Sequence, residues 1–299
     1  MTARDALATL VVAALLVPPP AAFATEPETT ALKPQSPWFV DWNPTTCTLG
    51  RSFGSEQEPV ALRFERAEPR DGFQMVFVGQ WLQRVKAGTP LELRFGTYPA
   101  EDVRYSSGLG KATDDVPVVF VSSPGIVEPA LEEEEDEAWR VNPGPRVTPE
   151  MEAAADSVTL ATPDHALLLE TGPLDKAFAA LRKCTDDLVS QWGLDPAVQA
   201  KLQRRPIPKV SPSRWIGPQD YPLKALRKGE QAILIFRLLI DAEGEPTGCE
   251  ILRAYAGFDE FSKSTCAHIR TRARFEPALD ANGQAVPSYY VNTVRFAIP

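Results

Sequence analysis

Residues Gln231–Ala256 read QAILIFRLLIDAEGEPTGCEILRAYA, and the C-terminal half can be read outward from them. Gln231–Ile240 is nearly all apolar. In an extended chain Leu234, Phe236, Leu238 and Ile240 fall on one face, and Ile233, Ile235 and Leu239 on the other. A strand with two apolar faces is buried on both sides or meets a partner. Asp241-Ala242-Glu243-Gly244 supplies a tight hairpin turn, and Thr247–Ala254 is the return strand, with Cys249 and Ile251 on the same side.

A short helix, Leu223–Arg227, precedes this hairpin; Asp220-Tyr221-Pro222 starts it and Gly229 stops it. A second helix follows Gly257, with Phe258, Phe261, Thr265 and Ile269 as its apolar stripe, and Pro277 ends it. Asn282-Gly283 is a turn. Tyr289–Ile298 is the last strand, with Tyr290, Val294, Phe296 and Ile298 on one face. The order is therefore helix, strand, strand, helix, strand.

Residues 215–299 resemble, in this order and in their motifs, the C-terminal domain of TonB energy-transducer proteins. The matching features are Asp220-Tyr221-Pro222, the Gly-containing turn Asp241–Gly244, Gly257, Arg274-Phe275-Glu276-Pro277-Ala278, and Gly283 through Val286-Pro287. The resemblance implies an α+β fold, two helices on one face of a three-stranded antiparallel sheet, and a role in protein binding with no enzymatic activity and no cofactor. It implies that an extended peptide of a partner adds to the sheet edge at Tyr289–Ile298, with Tyr290, Asn292, Val294 and Phe296 along it. Gln219, Tyr221 and Pro222 match the family's receptor-proximal Gln-Pro-x-x-Tyr-Pro region in a shortened form; the alternative role of Tyr221 and Pro222 is to start the helix. The implied partner is an outer-membrane TonB-dependent receptor, another envelope protein, or a second copy of the chain as a homodimer. Proline at Asn292 or Val294 is the corresponding test of a backbone N–H used at that edge.

The N-terminus departs from energy transducers, which carry an uncleaved membrane helix and a Pro-rich spacer. Here Ala6–Val17 is apolar but shorter than the roughly 20 residues a bilayer requires. Pro18–Pro20 and Ala22-Phe23-Ala24 follow, so residues 1–24 read as a cleavable signal peptide and the mature protein as periplasmic. If the leader stays uncleaved, it associates the chain with the inner membrane and the reading becomes an anchored energy transducer.

Composition narrows the rest. The 299 residues carry a net charge of −9, which argues against a general nucleic-acid binder. Two His, four Cys and three Met show no short ligand spacing, so no metal site is read. From Arg205 onward 13 Lys and Arg face 10 Asp and Glu, a balance of +3 that leaves −12 for the remainder. Much of that sits in the acidic run Glu132–Glu137, read as a solvated loop. Export permits disulfides. Cys47, Cys184, Cys249 and Cys266 allow three connectivities; one bridge within each half is the simplest, and four free thiols the alternative.

The first half reads as mostly antiparallel strand, a small sandwich or barrel, with a closing helix. Strand segments are Val60–Phe64, Phe73–Val78, Leu91–Phe95, Val116–Val121 and His165–Glu170. Across Pro173–Trp192 the period changes to that of a helix, with Leu174, Phe178, Leu181, Cys184, Leu188 and Trp192 on one face. Such a sheet domain ending in a helix is distantly similar to the invasion-associated locus B family. The divisions are a linker over 25–37, a β-rich domain over 38–195, a Pro-rich linker over 196–214 and the C-terminal domain over 215–299.

Gly50-Arg51-Ser52-Phe53-Gly54 fits the G-x-S-x-G pattern of a nucleophile elbow, and Asp114 and His165 follow in the order a serine hydrolase needs. This gives a competing class of function. Its context is poor, because Ser55–Pro59 has no helical stripe to follow the serine. No catalytic residue is assigned.

Overall fold

The computed structural model describes residues 27–110, 115–123, 125–126, 147–255 and 258–298. The expected signal peptide, Asp114, the acidic run and Gly257 lie outside the described residues.

Alternating apolar positions make the N-terminal strands half-buried. In Pro59–Arg66 the side chains of Val60, Leu62, Phe64 and Arg66 are buried and those between them are not. A six-stranded antiparallel sheet runs in the order Phe39–Trp42, Cys47–Gly54, Pro59–Arg66, Phe73–Val78, Val116–Ser123, Tyr105–Gly110. A five-stranded sheet runs Glu28–Leu32, His165–Leu169, Val158–Ala161, Glu92–Phe95, Glu101–Asp102. All pairs are antiparallel except Glu28–Leu32 with His165–Leu169, which is parallel. The sheets are thus mostly antiparallel, as expected. The parallel pair arises because the first strand enters at the sheet margin from outside the hairpin sequence.

The two sheets and a helix share one core. Helix α1 (Pro149–Ala154) is short; α2 (Asp175–Gln191) is the closing helix. Phe178 of α2 meets Phe64 at 5.0 Å and Phe73 at 5.7 Å between ring centroids, and Phe64 in turn faces Phe95 of the other sheet. A disulfide joins Cys184 of α2 to Cys47 of the adjacent sheet, so the stripe read from the sequence is also covalently fixed.

The segment after α2 is folded rather than extended. Helix α3 (Pro196–Gln199) opens it, Ile207–Pro208 pairs with Phe275–Glu276, and Arg204 bridges to Leu279. Trp215 is buried against Phe275 and Tyr290, at 5.6 and 5.7 Å between ring centroids. The prolines leave carbonyl acceptors and side chains free to pack, and the C-terminal domain supplies the partners.

The C-terminal domain is a three-stranded antiparallel sheet in the order Pro246–Tyr255, Ala232–Ile240, Ser288–Phe296. Helices α4 (Leu223–Lys228) and α5 (Phe258–Arg272) pack on one face. Leu234, Phe261, Phe296 and Ala225 form one cluster there, and Phe236, Leu238, Ile240, Ile269 and Phe275 another. Cys249 and Cys266 form a disulfide between sheet and helix. Gly244 must be glycine: its φ is +86°, and a Cβ would lie 2.1 Å from the Phe275 carbonyl oxygen.

The opposite face of this sheet meets the N-terminal domain at one end. Tyr289 is buried in the N-terminal core cluster, with Leu239 and Val291 packed beside it. Trp192 stands edge-on to Tyr289 at 5.0 Å. Arg253 pairs with Glu65 across the same junction. The far end is uncovered, leaving Ile233 39 % exposed.

Candidate partner-binding edge

A strand accepts another strand only if a regular row of backbone donors and acceptors faces outward. The sheet has two margins. Pro246–Tyr255 carries two register shifts against the central strand, opposite Ile235/Phe236 and Leu239/Ile240. Such bulges bend a strand and spoil it as a template. Ser288–Phe296 pairs with the central strand in unbroken register over nine residue pairs, and with no other strand among the described residues. It is the better template of the two.

Hydrogen bonds reveal which of its N–H groups point out. Thr293 N–H donates to Asn292 Oδ1 at 2.7 Å, and so faces away from the central strand. Ile298 N–H donates to Gln231 Oε1 on the central-strand side. In an antiparallel ladder alternate residues face the same neighbour. The outward N–H groups are therefore those of Val291, Thr293 and Arg295, while Asn292 and Val294 point into their own sheet. Proline at Asn292 or Val294 would break the internal ladder, so the informative position is Thr293.

Side-chain direction follows the same parity. Tyr290 and Phe296 are buried under the helices, Tyr290 against Trp215 and Phe275 and Phe296 against Phe261 at 4.8 Å between ring centroids. Val294 is half-buried beside them. These three side chains hold the strand to its own domain, and by the same parity their backbone groups belong to the internal ladder, so Tyr290, Val294 and Phe296 offer the margin neither side chain nor backbone. Asn292 is half-buried; its Nδ2 donates to the Tyr290 hydroxyl at 2.7 Å while its Oδ1 covers the Thr293 donor. The exposed side chains are Thr293 and Arg295.

The Asp220-Tyr221-Pro222 motif closes one end of this strand. Tyr221 stacks edge-on against Phe261 at 5.6 Å and Phe296 at 5.5 Å, and its hydroxyl donates to the Glu230 carbonyl at 2.6 Å. Pro222 is the residue before α4, in extended conformation. Gln219 is exposed. Thus Tyr221 and Pro222 precede the helix and Tyr221 packs on the strand end at Phe296. Asp220 is buried. It accepts hydrogen bonds from Gly217 N–H at 2.8 Å and Arg272 Nη2 at 3.0 Å, with His268 Nε2 at 3.4 Å. The Arg272 hydrogen bonds hold its carboxyl down at about 2. This clamp ties the motif to the end of α5.

Ser52 does not stand on an elbow. It lies inside strand Cys47–Gly54, opposite Ala61, and its N–H donates to Ser36 Oγ. The chain continues into the next strand rather than a helix, so the geometry that G-x-S-x-G needs is not formed. His165 is engaged with Glu28, at 3.7 Å. Among the described residues no group of three or more His, Cys, Asp or Glu is placed to hold a metal ion.

The C-terminal domain is thus a three-stranded sheet backed by two helices, with one margin in regular register that pairs with no further strand among the described residues. Residues 217–298 match the family described as Gram-negative bacterial TonB protein C-terminal, a family of energy transducers that are not enzymes. No curated protein and no solved structure matches the chain. TonB-type proteins are associated with the cell envelope. Among the described residues no helix is long and apolar enough to cross a membrane.

Proposed function

We propose that this is a non-enzymatic periplasmic protein whose C-terminal domain captures an extended segment of an envelope protein by strand addition at Val291–Phe296. The partner class is an outer-membrane TonB-dependent receptor, and the setting is transport across the outer membrane. The observation that carries this reading is the unbroken register of Ser288–Phe296 on one side, with no strand on the other among the described residues. The first two residues of that strand are already engaged: Ser288 by Gln199 of the connecting segment, and Tyr289 by Trp192 of the N-terminal domain and by Arg205 of the connecting segment, whose Nη1 donates to the Tyr289 hydroxyl at 3.4 Å. The usable length is therefore about six residues, enough for a short β-zipper.

The test is pull-down of receptors from outer-membrane extract by the purified chain. Thr293→Pro removes one outward donor and leaves the internal ladder intact. It is expected to lose capture with the circular dichroism spectrum unchanged, while Thr293→Ala retains capture. Equal capture by Thr293→Pro and the unaltered chain would refute the reading.

A further inference from the structure

An unpaired strand margin is a template for another chain, and soluble domains blunt it with charge, proline, a bulge or brevity. The two N-terminal sheets end on four margins: Phe39–Trp42, Tyr105–Gly110, Glu28–Leu32 and Glu101–Asp102. Three of them are blunted. Glu101–Asp102 is two acidic residues, Phe39–Trp42 is four residues long and carries Asp41, and Glu28–Leu32 opens on a glutamate between Pro27 and Lys33. The fourth, Tyr105-Ser106-Ser107-Gly108-Leu109-Gly110, has neither charge nor proline. It pairs with Val116–Ser123 in unbroken register from Tyr105 opposite Val121 to Gly110 opposite Val116.

The neighbouring strands fix which of its backbone groups point out. Gly79 N–H donates to the Pro117 carbonyl at 3.0 Å, so the backbone of Pro117 faces the Phe73–Val78 side. By alternation Val116, Val118 and Phe120 face the margin strand, opposite Gly110, Gly108 and Ser106. The N–H and C=O groups of Tyr105, Ser107 and Leu109 therefore point away from the sheet, and no strand meets them among the described residues. The side chains of these three residues share one face of the strand. Ser107 is exposed and Leu109 is 63 % exposed. Tyr105 is half-buried; its hydroxyl donates to the Lys86 carbonyl at 2.6 Å, which fixes the ring.

We propose that this margin pairs with the same margin of a second copy of the chain, antiparallel about a two-fold axis through Ser107. In that register Ser107 meets the partner's Ser107, and Tyr105 meets the partner's Leu109 on either side of the axis. All three outward residues then exchange backbone hydrogen bonds, and each exposed Leu109 gains an aromatic neighbour across the strands. The strand is thus self-complementary, as a two-fold contact requires. Charge favours the same place. Each copy carries −9, so two copies repel over much of their surface and meet most readily along a strand without charge. A foreign peptide finds little to select it: on the other face Ser106, Gly108 and Gly110 are too small to wall a side-chain pocket, and a Cβ at Gly108 would meet nothing within 4 Å.

Sedimentation velocity of the purified full chain across the micromolar range tests this. One strand pair is a small interface, so a reversible dimer that forms within that range is expected. Ser107→Lys and Ser107→Glu each set like charges against each other at the axis, at an exposed position that leaves the fold intact. Each alone is expected to dimerise at least about tenfold more weakly. An equimolar mixture of the two should recover the dimer, because opposite charges then meet at the axis. Thr293→Pro, which alters the C-terminal margin, should leave the dimer unchanged. A monomer throughout the range, an unweakened dimer in either Ser107 variant alone, no recovery in the mixture, or loss of the dimer in Thr293→Pro would each overturn the proposal.

Discussion

The guanidinium of Arg237 lies 4.4 Å from the ring centroid of Trp192. Arg237 belongs to the central strand of the C-terminal sheet, and Trp192 ends helix α2 of the N-terminal domain. Tyr289 touches the same indole. One aromatic side chain therefore joins the domains through a cation–π contact and an edge-on ring contact. Trp192→Ala is expected to destabilise the chain by about 3–5 kcal/mol. It should also expose residues 196–216 to protease before either domain unfolds. Denaturant unfolding with limited proteolysis reads both effects; loss of stability without cleavage in that segment would contradict the junction.

Asp220 gives a pH signature. Its carboxyl is lowered to about 2 in the folded protein by Arg272, with Gly217 N–H and His268 adding to the effect. A group held below its unfolded value, about 3.9, stabilises the fold above that value. The contribution is lost as pH falls from about 4 toward 2. Asp220→Asn should lower stability near neutral pH, because it removes the charge that accepts from Arg272 and from Gly217 N–H. It should also flatten the acid limb of the stability curve. A variant with the same acid limb as the unaltered chain would show that the clamp does not form.

Both disulfides pin a helix to a sheet, but they close loops of different length, with sequence separations of 137 and 17 residues. In the chain-entropy account each contributes a few kcal/mol, about 3 for the shorter loop and more for the longer. Cys249→Ser with Cys266→Ser is expected to lower stability by about 3 kcal/mol and Cys47→Ser with Cys184→Ser by about 4–5. Thermal unfolding of the two double variants checks the order.

Asn292 covers the Thr293 donor with its own amide oxygen. An incoming strand must displace that contact before it can bond there. Asn292→Ala is expected to tighten partner capture by about fivefold, the equivalent of one net hydrogen bond of ~1 kcal/mol. Weaker capture would mean that the Asn292 side chain contacts the partner instead of guarding the edge.

The C-terminal elements were legible for different reasons: Ala232–Ile240 is a nine-residue run apolar on both faces, while Phe261, Thr265 and Ile269 recur in fours along a helix. Alternation grouped Tyr290, Val294 and Phe296 on one face but could not tell whether that face meets helices or a partner, since a period of two sorts the faces without orienting them. Two apolar faces on Gln231–Ile240 signalled burial on both sides; the N-terminal domain covers one end of the second face. The reading of Pro206, Pro208 and Pro212 as linker missed that Ile207–Pro208 pairs with Phe275–Glu276, because pairing depends on residues some seventy positions away.

The central claim is that a foreign strand lies along the outer margin of Val291–Phe296. A photo-crosslinking residue placed singly at Thr293 and Arg295, and as a control at Glu250 on the bulged margin, tests it in intact cells. The account predicts crosslinks from Thr293 and Arg295 to an extended segment of an outer-membrane receptor, and none from Glu250. Crosslinks to a receptor from Glu250 alone, with Thr293 and Arg295 silent, would contradict it.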